Sequence, residues 1–200
     1  QADVVVYDAL VGPAVIDLVR RDAERIFAGK RRGDPGLGQA GINALLEARA
    51  RAGQFVVRLK GGDPFIFGRG GEERDHLLQA GVAVEVVPGI TAATACAAAA
   101  GIPLTHRDHA SALTILTGHG AEGEPDHDWQ ALARAKQTLA VYMGVDQAHA
   151  IARRLMFHGM DPNMPVAIVE NGSMPSQRIV TGALAALGRL VRDHAIQGPA

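Results

Sequence analysis

A single cysteine, Cys96, in 200 residues leaves no basis for an internal disulfide framework or a multi-cysteine zinc site. A reducing, cytoplasmic setting is the expectation that follows. Aromatic residues make up only 4% of the chain, too few for the stacking platforms of single-strand nucleic-acid binders. Neither sign of charge dominates: 20 Lys+Arg oppose 21 Asp+Glu, a net charge of −1. The positive excess of a general nucleic-acid binder is therefore missing. No apolar run approaches the roughly 18 residues that span a bilayer; the longest, over 92–100, is short and alanine-rich. Neither nucleic acid nor a membrane is expected as a partner. The opening Gln1-Ala2-Asp3 has no basic stretch leading into an apolar one, so no secretory leader is expected. It also lacks an initiator Met, and a fragment or processed chain is expected. Repeats of 20 to 50 residues and low-complexity tracts are absent as well.

What is present suits a folded enzyme-sized core: 48% of residues are hydrophobic and 20% charged. Short β-branched runs alternate with helical stretches. Strands are expected over 3–7, 25–28, 55–59 and 82–87, with helices over 14–21, 39–52, 72–80 and 91–100. Gly53, Gly81 and Gly101 stand where helices commonly stop. Short links between strand and helix imply a parallel sheet covered on both faces. The pattern then restarts, with strands over 113–117, 138–143, 166–170 and 177–181. Helices are expected there over 129–135, 148–157 and 182–194. The Asn171-Gly172-Ser173 corner turns one strand back, so the second sheet is expected to be mixed. The fold class is α/β in two domains, 1–109 and 110–200.

Polar and glycine-rich insertions follow the strands of the first half. Asp8 follows the VVVY run, Gly29-Lys30-Arg31-Arg32 follows RIFA, Gly61-Gly62-Asp63 follows RLK, and Pro88-Gly89-Ile90-Thr91 follows EVV. In a parallel sheet these positions share the carboxyl edge, where open α/β folds bind ligands. Gly36-Leu37-Gly38-Gln39-Ala40-Gly41 matches a dinucleotide fingerprint in spacing, but no strand leads into it, so a flexible helix entry is the better reading. The stretch 61–73, GGDPFIFGRGGEE, crowds five glycines around two phenylalanines and an isoleucine. That suits a backbone approaching a flat, partly apolar ligand, or a tight turn that packs its own aromatics. It lacks the Gly-Lys-Ser/Thr ending of a phosphate-cradling loop. His106-x-x-His109 with Asp108 is read as a solvated or capping cluster, and no metal is expected. No Gly-x-Ser-x-Gly elbow exists, which disfavours nucleophilic hydrolysis.

At 61–73 the sequence resembles the tetrapyrrole methylase family, in the branch that methylates uroporphyrinogen III. The likeness runs through Gly29-Lys30-Arg31, Gln39 with Ile42-Asn43, Pro88-Gly89-Ile90-Thr91-Ala92-Ala93 and Thr105-His106-Arg107-Asp108. It resumes at Thr117-Gly118-His119, Tyr142-Met143-Gly144, Glu170-Asn171-Gly172 and Gln177-Arg178. The resemblance implies two α/β domains, S-adenosylmethionine as methyl donor, no metal and a homodimer. It implies methylation of uroporphyrinogen III through precorrin-1 to precorrin-2, which feeds sirohaem and cobalamin. A methyltransferase of a later precorrin and a non-catalytic ligand-binding fragment are the alternatives. By the same resemblance, Gly61, Gly62, Asp63, Ile66, Thr91, Ala92, Met143 and Gly172 fall where the family binds the donor. Asp8 falls at its proton acceptor and Lys30 at its proton donor. The family's first strand with a Gly-Pro-Gly-Asp-Pro loop, and its last strand, fall outside these residues. Ala40-Gly41 replaces an acidic pair, and His109 an aromatic.

The residue types suit that chemistry. A sulfonium methyl is already activated, so positioning, a dry site and proton management suffice. A carboxylate at Asp8 suits the positive charge that develops on an attacking pyrrole and the proton it then loses. Arg31 and Arg32 beside Lys30 should ease its loss of a proton. A substrate with eight carboxylates calls for a local arginine cluster, and Arg31, Arg32, Arg69 and Arg107 are the candidates.

Overall fold

In a computed structural model the described residues are 2–29, 36–120 and 125–200. They form two compact units, which divide between Thr91 and Ala92.

The first unit is built on three parallel strands, β1 (Val4–Tyr7), β2 (Glu24–Phe27) and β3 (Val56–Leu59). Their order is β2-β1-β3, with Val4 opposite both Glu24 and Val56. Val4, Val5 and Val6 are 0%, 3% and 0% exposed. An uninterrupted buried run of this kind marks a central parallel strand covered on both faces. Helix α2 (Gly38–Arg51) lays Ile42 and Leu46, one turn apart, on Val4, Val6 and Ala28 to close the core. Gly53, at a φ of 78°, lets the chain leave α2 toward β3. Helix α3 (Gly70–Gln79) packs beside α2.

Two expectations fail in this unit. Helix α1 is a single turn, Pro13–Ile16, and not a helix over 14–21. It buries no residue, so no packing offsets the cost of propagating so short a helix, and tight turns follow it. Residues 82–87 keep the alternating exposure of a strand but form none, because no ladder partner lies beside them among the described residues.

The second unit opens with helix α4 (Ala92–Ala99). Strands β4 (Ala112–Thr117) and β5 (Gln137–Tyr142) pair in parallel, with the one-turn α5 (Trp129–Leu132) between them in sequence. Asp128 caps α5 by accepting from the Ala131 N–H at 3.0 Å. Helix α6 (Ala148–Phe157) precedes β6 (Pro165–Glu170) and β7 (Arg178–Ala183), an antiparallel pair with Glu170 opposite Arg178. A 3₁₀ turn at Leu184–Ala186 leads into α7 (Leu187–Asp193). Trp129, Ile151, Ala152, Leu155, Met160 and Leu184 form the core.

Here the expected mixed sheet resolves into two separate pairs, β4-β5 parallel and β6-β7 antiparallel, among the described residues. Gly182 and Ala183 end β7 and do not begin the last helix. Residues 92–109, expected to belong to the first domain, group with the second unit. The Ala93 N–H donates to the Tyr142 hydroxyl at 2.7 Å, and the Ser111 N–H to the Lys136 carbonyl at 2.9 Å. The first bond ties that segment to β5, and the second fixes the chain just beyond it.

Candidate functional site

Parallel strands send their outgoing loops to one edge, and in the first unit these loops touch. A Cβ on Gly61, after β3, would stand 2.7 Å from the carbonyl oxygen of Leu10, after β1. One on Gly89 would collide with the Gly62 carbonyl. Only glycine permits both approaches. Asp63 staples the same junction: Oδ1 accepts from the Phe65 N–H at 2.9 Å and Oδ2 from the Gly89 N–H at 3.1 Å. Asp8, Gly61, Gly62, Asp63 and the 88–89 segment are thus gathered on one edge. Thr91 follows two residues later and is half-buried. Ile66 is 37% exposed, between the more exposed Phe65 and Phe67, so this loop presents an apolar surface and does not bury its own aromatics.

Beneath that edge lies a cluster of charges. Asp8 Oδ1 accepts from the Leu10 N–H at 3.0 Å, and its Oδ2 accepts from Arg58 at 3.1 Å. Arg58 Nε also donates to Glu73 Oε1 at 3.3 Å, and the same oxygen receives Lys60 Nζ at 3.1 Å and Gln39 Nε2 at 3.3 Å. Side-chain exposure is 21% at Asp8, 13% at Arg58, 9% at Lys60 and 6% at Glu73. Two carboxylates and two cations therefore alternate in a nearly dry layer.

Arg69 stands at the start of α3 with a left-handed φ of 57°. Its guanidinium grips Glu72 at 2.6 and 2.9 Å and holds that carboxyl below the usual carboxylate range. Both side chains are exposed. Lys30, Arg31 and Arg32 lie outside the described residues.

In the second unit, α4 is the common neighbour of the expected residues. Ala92 begins it, and Ala93 is bonded to Tyr142, next to Met143. A Cβ on Gly172 would collide with Cys96 Sγ, one turn along α4. The ends of β4 and β5 are joined where the Gly118 N–H donates to the Tyr142 carbonyl at 2.6 Å. Met143 and Asn171 take left-handed φ values of 56° and 51°. Such conformations cost about 1–3 kcal/mol each and concentrate at functional loops. Burial pushes the Cys96 thiol up, which disfavours its thiolate form. Arg107 is exposed in the turn closed by the His106–Ala110 bridge. The His106 and His109 rings stack there at 4.8 Å. Among the described residues no group of three or more His, Cys, Asp or Glu is placed to hold a metal. Nor is any helix among them long and apolar enough to cross a membrane.

Arg58, Lys60 and Glu73 were not singled out as site residues by the sequence. The signal was two cations in and just after an otherwise apolar strand, VVRLK, where burial obliges each to find a partner.

Residues 1–188 match the family model "Tetrapyrrole (Corrin/Porphyrin) Methylases". The chain belongs to this family. It is 55% identical to the siroheme synthase of Thioalkalivibrio sulfidiphilus over 99% of its own length and 40% of that protein's. The chain spans about two fifths of the length of the curated relatives it matches. Among solved structures, it resembles the uroporphyrin-III C-methyl transferase of Thermus thermophilus complexed with S-adenyl homocysteine. That match has a TM-score of 0.80 and 42% identity, and covers 94% of this chain and 80% of that one. A cobalt precorrin-4 methyltransferase gives a TM-score of 0.86 at 28% identity, covering 98% and 80%. The α/β architecture of a tetrapyrrole methylase is therefore the fold of this chain.

Proposed function

We propose that this chain performs S-adenosylmethionine-dependent C-methylation of uroporphyrinogen III, through precorrin-1 to precorrin-2, as part of a longer protein. The observation that carries this reading is the loop edge of the first unit. There Asp8, the GGDPFIFGRGG loop and Gly89 meet, in a chain that shares 42% of its residues with a uroporphyrin-III C-methyl transferase. The glycines at 61, 89 and 172 let neighbouring segments approach more closely than a side chain would allow, which holds the proposed donor loops together. The donor, when bound, supplies an electrophilic methyl group.

The residues of this chain manage position and protons. Asp8 accepts the one proton that the ring system gives up for each methyl gained, from a position other than the fully substituted carbon that is methylated, and Lys30 serves as proton donor in the accompanying tautomeric shift. Gly61, Gly62, Asp63, Ile66, Thr91, Ala92, Met143 and Gly172 hold the donor. Asp63 does so by fixing the loop, since both of its oxygens already accept main-chain N–H groups. Arg31, Arg32, Arg69 and Arg107 attract the substrate's carboxylates. Each exposed pair is worth only about 0–1 kcal/mol, so several must act together. No metal has a role in this scheme, and a homodimer in the cytoplasm is its setting.

A second reading, methylation of a later precorrin, is favoured by the TM-score of 0.86 with the cobalt precorrin-4 enzyme. The lower identity of that match, 28% against 42%, puts it second. Incubating the full-length protein anaerobically with donor and uroporphyrinogen III, then with later precorrins, separates the two. Precorrin-2 is the expected product. Donor binding without any methylated uroporphyrinogen would reject the first reading.

A further inference from the structure

The four-charge cluster under the loop edge does more than the assigned roles require. A lone ion pair at Asp8 would neutralise it; instead a second carboxylate and a second cation are buried beside the first pair. Burying ions is costly, and breaking such a set by removing one partner costs more than never having built it. Clusters like this one therefore give weak evidence for stability. Their geometry says more.

We propose that Arg58 is a positioning residue for the Asp8 carboxylate, and that Glu73 in turn holds Arg58 in place. This inference rests on the methyl-transfer reading given above. The Arg58 guanidinium is oriented on several sides: one terminal nitrogen donates to the Leu59 carbonyl at 2.8 Å and the Val6 carbonyl at 3.4 Å. Nε faces Glu73, and only the remaining terminal nitrogen reaches Asp8. A planar fork fixed to two strands has no rotamer freedom left to lose when it meets the carboxylate. Asp8 is gripped from two directions, by its own loop at Leu10 through Oδ1 and by Arg58 through Oδ2. Each carboxylate oxygen still has a lone pair for a substrate proton. The carboxylate is thus aimed before substrate arrives.

Glu73 sets the balance. Arg58 donates through Nε to Glu73 as well as through one terminal nitrogen to Asp8, so its guanidinium is not committed to Asp8 alone. Glu73 shares the Arg58 charge, and Lys60 with Gln39 compensates Glu73. The described charged groups facing Asp8 are therefore Arg58 from β3 and, behind it, Glu73 from α3 with Lys60 after β3. Their charges sum to zero with Asp8 included. Glu73 also lies on α3, which begins at the end of the glycine-rich loop, so the same contact ties the donor loop to the acceptor.

A double-mutant cycle on the full-length protein tests this, with uroporphyrinogen III turnover and S-adenosylhomocysteine calorimetry as readouts. Arg58→Met is expected to lower kcat on the order of 10²-fold, as for a small misplacement of a reacting group. The S-adenosylhomocysteine Kd should stay within about twofold, and Arg58→Lys should restore part of the rate. On an Asp8→Asn background, Arg58→Met should cost less than about threefold more, because both changes remove one unit. Equal, additive losses on the two backgrounds overturn the proposal, as does an unchanged kcat in Arg58→Met. If Arg58→Met fails to fold and binds no S-adenosylhomocysteine, Arg58→Lys takes its place. Its rate loss must then vanish on the Asp8→Asn background, and persistence overturns the proposal. Wild-type protein that leaves uroporphyrinogen III unmethylated would instead overturn the underlying reading, and this inference with it.

Discussion

The two compact units carry their expected site residues by different physical means. In the first unit the loop edge stands on buried charge, with Asp8, Arg58, Glu73 and Lys60 bonded in sequence beneath it. Its apolar core is small, resting on Val4, Val6, Ala28, Ile42 and Leu46. In the second unit the corresponding loops stand on packing. Tyr142 and Gly172 press against α4, and larger side chains, Trp129, Leu155 and Met160 among them, fill the interior behind. The charged layer suits the proton handling proposed for the first unit, while loops of both units are proposed to hold the donor. Proton handling needs oriented charge, and a nearly dry layer strengthens every interaction within it. Holding a donor needs shape, which left-handed loop residues and close main-chain approaches provide. A charged support fails when one charge is removed; a packed support fails by degrees.

That contrast can be broken in several places. The largest effect is expected at Asp8: Asp8→Asn should slow turnover by about 10²–10⁴-fold while donor-product affinity stays nearly constant. Steady-state rates with calorimetry check it, and parallel loss of both would make Asp8 a structural residue. Next comes the packed core of the second unit. Leu155→Ala should destabilise the protein by about 2–5 kcal/mol in denaturant unfolding, with the catalytic rate of the folded fraction preserved. A smaller effect is expected at the close approach on α4. Gly172→Ala should cost about 1–3 kcal/mol and weaken S-adenosylhomocysteine binding, and Cys96→Ala should relieve part of both losses. Absence of relief would place the strain elsewhere.

Two milder tests concern single charges, one buried and one set at the surface. Arg178 and the Gln197 N–H hold the Glu170 carboxyl below its usual value of 4.5. A carboxyl depressed in the folded state contributes stability above that pH and loses it as the pH falls through the folded value. Glu170→Gln should therefore lower Tm at pH 7 and flatten the acid side of the stability profile; an unchanged acid limb would contradict the assignment. Last, the KM for uroporphyrinogen III should rise with ionic strength, as for a polyanion steered by arginines. A flat response removes the arginine cluster from the scheme.

Much of this was legible from residue order. The VVVY run, the glycine stops at 53 and 81, and the polar insertions after strands located elements of the first unit within a few residues, as the stop at 101 did for α4 of the second. The strand over 82–87 was not: its pattern is a good strand pattern, but a strand exists only where a neighbour offers a ladder. The one-turn α1 and the split of the second sheet were hidden for the same reason, since local propensity does not say what packs against an element.

The sequence by itself determined the α/β class, the strand–helix alternation of the first unit, and the residue types that its loops carry. Periodicity and glycine placement are local properties, and they can be read one window at a time. Only the tertiary structure decided that Arg58 reaches Asp8 across the first strand pair, that Glu73 closes the charge balance from a helix, and that Cys96 lies against Gly172. Those pairings join residues far apart along the chain, and their energies exist only once burial has removed the water that would otherwise separate the partners.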